Sequence, residues 1–408
     1  MNPEQEYAYS DIISGKNVFI TGGGGVGKSY LIKFFYDRYK SDTFITSTTG
    51  ISALNIGGQT IHSLLGIGLG TDTVENLVKK IKRSKKVKLW REIKTLIIDE
   101  ISMLDPVLFD KLEEVARIVR KSESPFGGIQ LVITGDFCQL PCVNSDKFCF
   151  EAISWDRCIE KTHYLKQIVR QSDEDFIRAL ENIRIGVIEN DTKKALESRI
   201  VEFDEKNEIK PTMLYPYNAQ VDLINHKELI KLVSVTKKSE TYTLEKAISP
   251  GYFGSVIIPS NLPETVTLAI GAQVMLTINL DLANGLVNGS RGVVISFTEN
   301  RLPVVKFLSG TYTVNYYTNT YEEKEKILYT YTQIPLKLAW AISIHKSQGM
   351  TLDLVKTDLT RVFEYGQGYV CLSRVKNLEG LYLSGINYQK IRCHPKASKY
   401  YQDLEKKK

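Results

Sequence analysis

The sequence predicts an α/β chain of at least two domains, with parallel sheets flanked by helices and a small antiparallel barrel inserted in the second. Three observations carry this. The chain has 408 residues, too many for one compact core. From Asn17 to about Thr162, short β-branched runs alternate with amphipathic stretches, the pattern of a parallel sheet covered by helices on both faces. From about Leu232 to Gln333 the pattern changes to strands separated by turn residues, which suits a small antiparallel barrel.

The elements follow in order. NVFIT, DTFITST, TLIIDE and QLVITGD are β-branched runs of strand length, each ending near polar or glycine residues. KSYLIKFFYDRYK and LFDKLEEVARIVRKS carry apolar residues at helical spacing. From Lys161 to about Lys231 the pattern is mainly helical, as in DEDFIRALENIRIG and NAQVDLINHKELIKLV. TVTLAIGAQVMLTIN, GSRGVVISFTEN, LPVVKFLSG and TYTVNYYTNTYEE then read as strands, and the α/β pattern returns from IPLKLAWAISIHKSQG onward. The expected division is a first domain over 1–160, a second over 161–231 and 334–408, and an inserted β-rich domain over 232–333. The tail DLEKKK is short and charged, and is expected to fray.

Hydrophobic residues make up 43% and charged residues 25%, the composition of an ordinary globular protein. A formal net charge of +6 permits a polyanionic partner without demanding one. There is no run of 18 apolar residues, so no membrane-spanning helix is expected. The N-terminal MNPEQEYAYS is polar and acidic, unlike a signal or transit peptide. The six cysteines contain no CxxC pair and read as reduced, mostly buried thiols. A zinc quartet of Cys138, Cys142, Cys149 and Cys158 is the disfavoured alternative.

Gly22-x-x-x-x-Gly27-Lys28-Ser29, between a strand and a helix, fits a phosphate-binding loop. Its backbone amides can curl around phosphate oxygens, and the helix N-terminus adds positive potential. Lys28 would hold the β- and γ-phosphates and Ser29 a Mg²⁺ ion. Gly22, Gly24 and Gly27 also match a dinucleotide fingerprint, a weaker reading because such sites do not need Lys-Ser after the last glycine. The apolar strand TLIIDE delivers Asp99, a second Mg²⁺ ligand, and Glu100, a general base for an attacking water. LVITGDFCQLP ends in Gly135, Asp136 and Gln139, and the glutamine is placed to sense the γ-phosphate.

Several blocks then point to one family. EISMLDPVLFDKLEEVARIVRK, running on from Asp99, resembles the signature segment of Pif1-family DNA helicases. TSTTGISALNIGGQTIHSLLGIG resembles their motif Ia region, GDFCQLPCV motif III and LKQIVRQSDEDFIRALENIRIG motif IV. AWAISIHKSQGMTLD resembles motif V, GYVCLSRVKNLEGLYL motif VI, and NPEQEYAYS the adenine-binding Q motif. The blocks come in the family order and cover nearly the whole chain. The resemblance implies a superfamily 1B helicase: two RecA-like P-loop NTPase domains, a small wedge insertion at about 66–85 in the first, and an SH3-like barrel inserted in the second. It implies ATP and Mg²⁺ as cofactors, 5′→3′ movement on single-stranded DNA, and 5′-tailed or forked duplex as substrate. A monomer without membrane attachment is expected, working in the cytoplasm or wherever the DNA is, in replication, repair or recombination.

Residue by residue, the resemblance gives Lys28, Asp99, Glu100, Gln139, Arg170 and Arg374 as catalytic. Arg170 and Arg374 are implied to be arginine fingers from the second domain. The nucleotide-contact set is Gln5 (for adenine), Gly23, Gly24, Gly25, Val26, Gly27, Lys28, Ser29, Tyr30 and Gly349. Ser29 and Asp99 hold the metal. DNA contacts fall to Thr48, Thr49, Gly50, His62, His345, Ser347 and Thr351, with Gln348 among the coupling residues. The basic run KKIKRSKKVKLWR, Lys79 to Arg91, reads equally as a phosphate-binding face or a solvated helix face. The tyrosines of TYTVNYYTNTY read as strand formers before stacking platforms. Val26 stands where the family has threonine, and Cys142 where it has the second proline of motif III. An RNA-directed relative and a nucleotide-gated DNA-binding module that does not unwind are the competing readings. The hydrolytic set argues against the latter.

Overall fold

The computed structural model describes residues 1–143, 145–204, 208–251, 264–281, 284, 286, 288–323 and 326–406. Side chains at 51, 54, 55 and 321–326 are outside the description. The chain forms two compact units: Met1–Ala195 with Val362–Ser373 and Tyr388–Lys408, and Leu196–Arg361 with Arg374–Asn387.

The first unit is built on six parallel strands, β1 (Val18–Gly22), β2 (Thr43–Ser47), β3 (Gln59–Thr60), β4 (Thr95–Asp99), β5 (Gln130–Gly135) and β6 (Lys161–Leu165). Their order in the sheet is β3-β2-β4-β5-β1-β6. Strand alternation feeds two cores. Phe19, Leu96, Ile98, Leu131 and Ile133 point to one face, where helices Val74–Arg83 and Pro106–Arg120 cover them. Val18, Ile20, Ile97 and Val132 point to the other, under helices Pro3–Ile13 and Lys28–Arg38. Both faces are covered, which is why these strands read as continuous apolar runs.

Helix starts have local causes. Asn2 and Gln5 form a capping box: Asn2 Oδ1 accepts the Gln5 amide at 2.9 Å and Gln5 Oε1 accepts the Asn2 amide at 3.1 Å. Asp105 caps Pro106–Arg120 through the Val107 and Leu108 amides. In Val74–Arg83, Leu77, Val78 and Ile81 enter the core, so Lys79, Lys80, Lys82 and Arg83 lie on the opposite, solvent-facing stripe.

The second unit holds a four-stranded parallel sheet in the order Ala341–Ser343, Thr212–Tyr215, Val355–Asp358, Leu381–Gly385. After strand Thr212–Tyr215 comes helix Asn218–Thr236, and the strands between Ser239 and Leu338 form antiparallel sheets. The largest runs Gly310–Thr313, Pro303–Phe307, Arg291–Phe297, Gln273–Leu276, Leu336–Leu338, with a bulge between Val294 and Ser296. Its core is Val266, Leu268, Val274, Val294, Val305 and Phe307 with their neighbours. Residues 252–263 of the expected inserted domain lie outside the described residues. Tyr316 and Tyr317 are partly exposed here.

Two expected boundaries are corrected. Residue 161 does not open the second unit: Lys161–Leu165 pairs in parallel register with β1 and forms the edge of the first sheet. Nor does 334–408 belong wholly to the second unit. Helix Pro395–Lys406 buries Ala397 and Tyr401 in the first core, because that core presents the aromatic cluster of Phe19, Phe137 and Phe150, against which Tyr400 packs. Among the described residues no helix is long and apolar enough to cross a membrane.

Candidate active site

The phosphate-binding loop leaves the fully buried β1 at Gly22 and enters helix Lys28–Arg38. Gly25 and Gly27 hold φ of 90° and 84°, in the left-handed region that favours glycine. A Cβ on Gly27 would lie 2.4 Å from Gln5 Nε2, and one on Gly25 would lie 2.7 Å from Arg170 Cβ. The loop is therefore closed from outside by two residues that the sequence assigned to the nucleotide. Gln5 is buried and donates from Nε2 to the Val26 carbonyl at 3.2 Å. Val169 donates its amide to the Gly25 carbonyl at 2.9 Å. Lys28 Nζ lies in the curl of the loop, donating to the Gly22 and Gly23 carbonyls at 2.8 and 2.9 Å. Tyr30, on the helix's first turn, is largely exposed.

β4 and β5 place the acids beside this loop. Asp99 ends β4 and accepts from the Thr134 hydroxyl and from the Glu100 amide at 2.9 Å. Ser29, the other expected metal ligand, is near enough for its hydroxyl to favour the ionised form of Asp99. That donor pair fits a Mg²⁺ ion, which takes one or two protein oxygens and fills the rest with phosphate and water. Burial pushes the Asp99 carboxyl above its ordinary value, against the hydrogen bonds from Thr134 and the Glu100 amide and the Lys28 charge. Burial also pushes the Lys28 ammonium down, against the attraction of Asp136, Glu100 and Asp99. Glu100 adopts φ 56°, ψ 46°, a left-handed conformation that costs a non-glycine residue about 1–2 kcal/mol. It turns the chain sharply out of the strand, as strained residues at functional sites do.

Motif III begins where β5 ends. Gln139 is buried, with its amide on the Asp136 carbonyl at 3.0 Å. Asp136 forms a buried bidentate pair with Arg184, at 2.9 Å to Nε and 2.8 Å to Nη2. Burial alone would raise the Asp136 carboxyl, but the Arg184 guanidinium overrides it and holds the acid below its usual range. Arg184 also donates to the Tyr164 hydroxyl at 2.8 Å and lies over the Tyr401 ring at 4.3 Å. Tyr369, in motif VI, accepts the Gly24 amide at 2.7 Å. The sequence reading gave no role to Arg184, Tyr369, Thr134 or Tyr401. Arg184 had a detectable signal: Phe176, Leu180 and Arg184 are spaced by four, so a charge falls on the apolar face of Glu174–Arg184.

Arg170 is corrected in its placement. It belongs to the first unit rather than the second, because its segment runs on from β6, and its Nη1 donates to the Ser373 carbonyl at 2.8 Å. Thr48 donates its hydroxyl to the Glu100 carbonyl at 2.9 Å, and Thr49 caps the following helix at Gly50 through Ser52. His62 is half-buried, and burial holds its imidazole below the ordinary value. Arg374, His345, Ser347, Gly349 and Thr351 belong to the second unit. Arg374 is buried, with its carbonyl accepting the Leu352 amide at 2.8 Å. Ser347 is fully buried and its hydroxyl donates to the Ile344 carbonyl at 2.7 Å. All six cysteines are free thiols.

Comparison with known proteins matches the sequence and the fold. A sequence model described as PIF1-like helicase fits residues 1–194, and one described as the 2B domain of DNA helicase Pif1 fits residues 253–297. The ATP-dependent DNA helicase PIF1 of Xenopus laevis is 41% identical over 417 residues, covering 100% of this chain. The chain spans 65% of that relative's length. The crystal structure of Pif1 helicase from Candida albicans matches with a TM-score of 0.79 at 38% identity, covering 99% of both chains. The Bacteroides Pif1 helicase, in complex with ADP-AlF3 and ssDNA, matches with a TM-score of 0.70 at 30% identity, covering 100% of this chain and 97% of that one. Matched over nearly its whole length in sequence and in fold at these identities, the chain belongs to the PIF1-like helicase family.

Proposed function

We propose that the chain is an ATP-driven helicase that moves 5′→3′ along single-stranded DNA and opens duplexes carrying a 5′ tail or a fork. The observation that supports the reading is the grouping of Lys28, Ser29, Asp99 and Glu100 at one phosphate-binding loop, with Gln139 buried on the segment that follows β5. A module that only bound nucleotide would not need a strained carboxylate and a buried glutamine at the ends of β4 and β5. The Bacteroides relative with its nucleotide analogue and ssDNA supports the choice of ligands.

In this reading the loop amides and Lys28 hold the phosphates, and Ser29 and Asp99 hold Mg²⁺. When bound, the ion neutralises charge on the β- and γ-oxygens. Glu100 accepts a proton from the attacking water, and Gln139 orients that water. Gln5 contacts the adenine end from its position on the loop. Tyr30 and Gly349 complete the nucleotide contacts. Arg170, and Arg374 from the second unit, supply positive charge to the transferring phosphoryl group. Thr48, Thr49, Gly50 and His62 in the first unit, and His345 and Thr351 in the second, form the DNA track. Thr48, bonded to the Glu100 carbonyl, links the track to the catalytic acid.

The test is phosphate release with and without single-stranded DNA. The wild-type chain releases phosphate faster with DNA, and Lys28→Ala abolishes turnover. A Lys28→Ala chain that still turns over ATP would overturn the site. ATP-dependent DNA binding without any phosphate release would favour the nucleotide-gated binding module.

A further inference from the structure

Cys138 and Cys393 are 255 residues apart in the chain, yet their sulfurs are 3.5 Å apart in the first unit. Cys138 sits in motif III between Phe137, whose ring is in the aromatic core, and Gln139. Its own amide donates to Asp136 at 3.1 Å. Cys393 precedes helix Pro395–Lys406, which is anchored by Tyr401 and by the Lys396–Glu151 ion pair at 2.8 Å. The two thiols differ in a useful way. Cys138 is fully buried, whereas Cys393 is only partly buried. The hydrogen bond between the thiols holds Cys393 below the usual thiol range, against partial burial, while burial pushes Cys138 well above it. One sulfur is therefore suited to meet an oxidant and the other to resolve the product.

We propose that Cys138 and Cys393 are a peroxide-sensitive thiol pair that closes into a reversible disulfide and clamps the motif III loop to the C-terminal helix. The chemistry balances. Cys393 thiolate attacks hydrogen peroxide, forming the S–O bond of a sulfenic acid and releasing hydroxide. Cys138 thiol then attacks that sulfur, forming the S–S bond, and the sulfenic oxygen leaves as water with the thiol proton. Both sulfurs are oxidised and one peroxide is reduced. The sulfurs need to approach by roughly 1.5 Å to reach disulfide bonding distance, and both flanking segments are short loops. The clamp acts on the residue next to Cys138, which is Gln139. That consequence rests on the ATPase reading above, whereas the disulfide does not.

The experiment oxidises the reduced chain with hydrogen peroxide at near-stoichiometric dose and maps its peptides without reduction. The expected result is a Cys138–Cys393 linked pair that dithiothreitol removes. In Cys138→Ala, Cys393 should stop at the sulfenic acid and be trapped by dimedone. In Cys393→Ser, Cys138 should remain a thiol. ATP turnover of the oxidised wild-type chain should fall and recover on reduction. Oxidation of Cys142 with both Cys138 and Cys393 left as thiols would overturn the proposal, as would Cys393 passing to sulfinic acid while Cys138 stays reduced. A linked pair with unchanged turnover would overturn the clamp on Gln139. A reduced chain without any turnover would count against the ATPase reading alone, since the peptide map decides the disulfide by itself.

Discussion

Asp99 and Asp136 are enclosed carboxylates kept in opposite ways. Asp136 has Arg184 in bidentate contact and is held ionised. Asp99 has no such guanidinium partner, and burial raises its carboxyl. A raised acid in the folded state binds its proton more tightly than in the unfolded chain, so stability falls as pH rises through that window. Nucleotide-free Asp99→Asn should therefore melt at or above the wild-type temperature at neutral pH, with the gap shrinking as pH is lowered. A melting temperature clearly below wild type would contradict this. Arg184→Ala should do the reverse and cost about 3–5 kcal/mol, because it strands the buried Asp136 charge. The Asp136→Leu/Arg184→Met double variant should recover much of that loss in chemical denaturation, and a double variant as unstable as Arg184→Ala would argue against the pair. At this scale the neighbourhood of Lys28, Asp99 and Glu100 was legible, since a phosphate-binding loop fixes residue types and spacing at one end and the apolar strand TLIID delivers the acids at the other. The left-handed turn at Glu100 was not, because nothing in a glutamate's identity requires it. The charge on the apolar stripe of Glu174–Arg184 is visible in the sequence, but its partner Asp136 lies 48 residues away and only the fold brings the two together.

Strands and helices were legible where period and length agreed, as in β1, β4 and β5, whose apolar runs report burial on both faces. Assignment to a unit was not. β6 is the short run KTHYL, and only its parallel register with β1 makes it part of the first sheet. Helix Pro395–Lys406 follows strands of the second unit in sequence but docks on the first core. Its hold can be measured. Tyr401 Oη accepts the Phe137 amide at 3.0 Å and lies 2.5 Å from Thr21 Oγ1, tying the helix to β1 and to motif III. Tyr401→Phe leaves that buried amide unsatisfied and should cost about 1–3 kcal/mol. Equilibrium denaturation checks this, and a change near zero would mean the hydroxyl does not hold the helix.

Across the whole molecule, two α/β units are interleaved in sequence, with the segments 362–373 and 388–408 belonging to the first and 374–387, between them, to the second. This crossing of the chain escapes a left-to-right reading, which assigns each unit one continuous tail. Its functional consequence lies in motif VI. Tyr369 on the Gly24 amide belongs to the first unit, whereas Arg374, five residues on, belongs to the second. One short segment thus contributes a phosphate-loop contact to the first unit and then runs into the second. The most direct measurement of the proposed function is strand separation on matched 5′-tailed and 3′-tailed DNA duplexes with ATP and Mg²⁺. The account predicts unwinding of the 5′-tailed duplex by the wild-type chain, none of the 3′-tailed duplex, and none of either by Lys28→Ala. Preferential unwinding from the 3′ tail, or ATP turnover with no strand separation on either substrate, would contradict it.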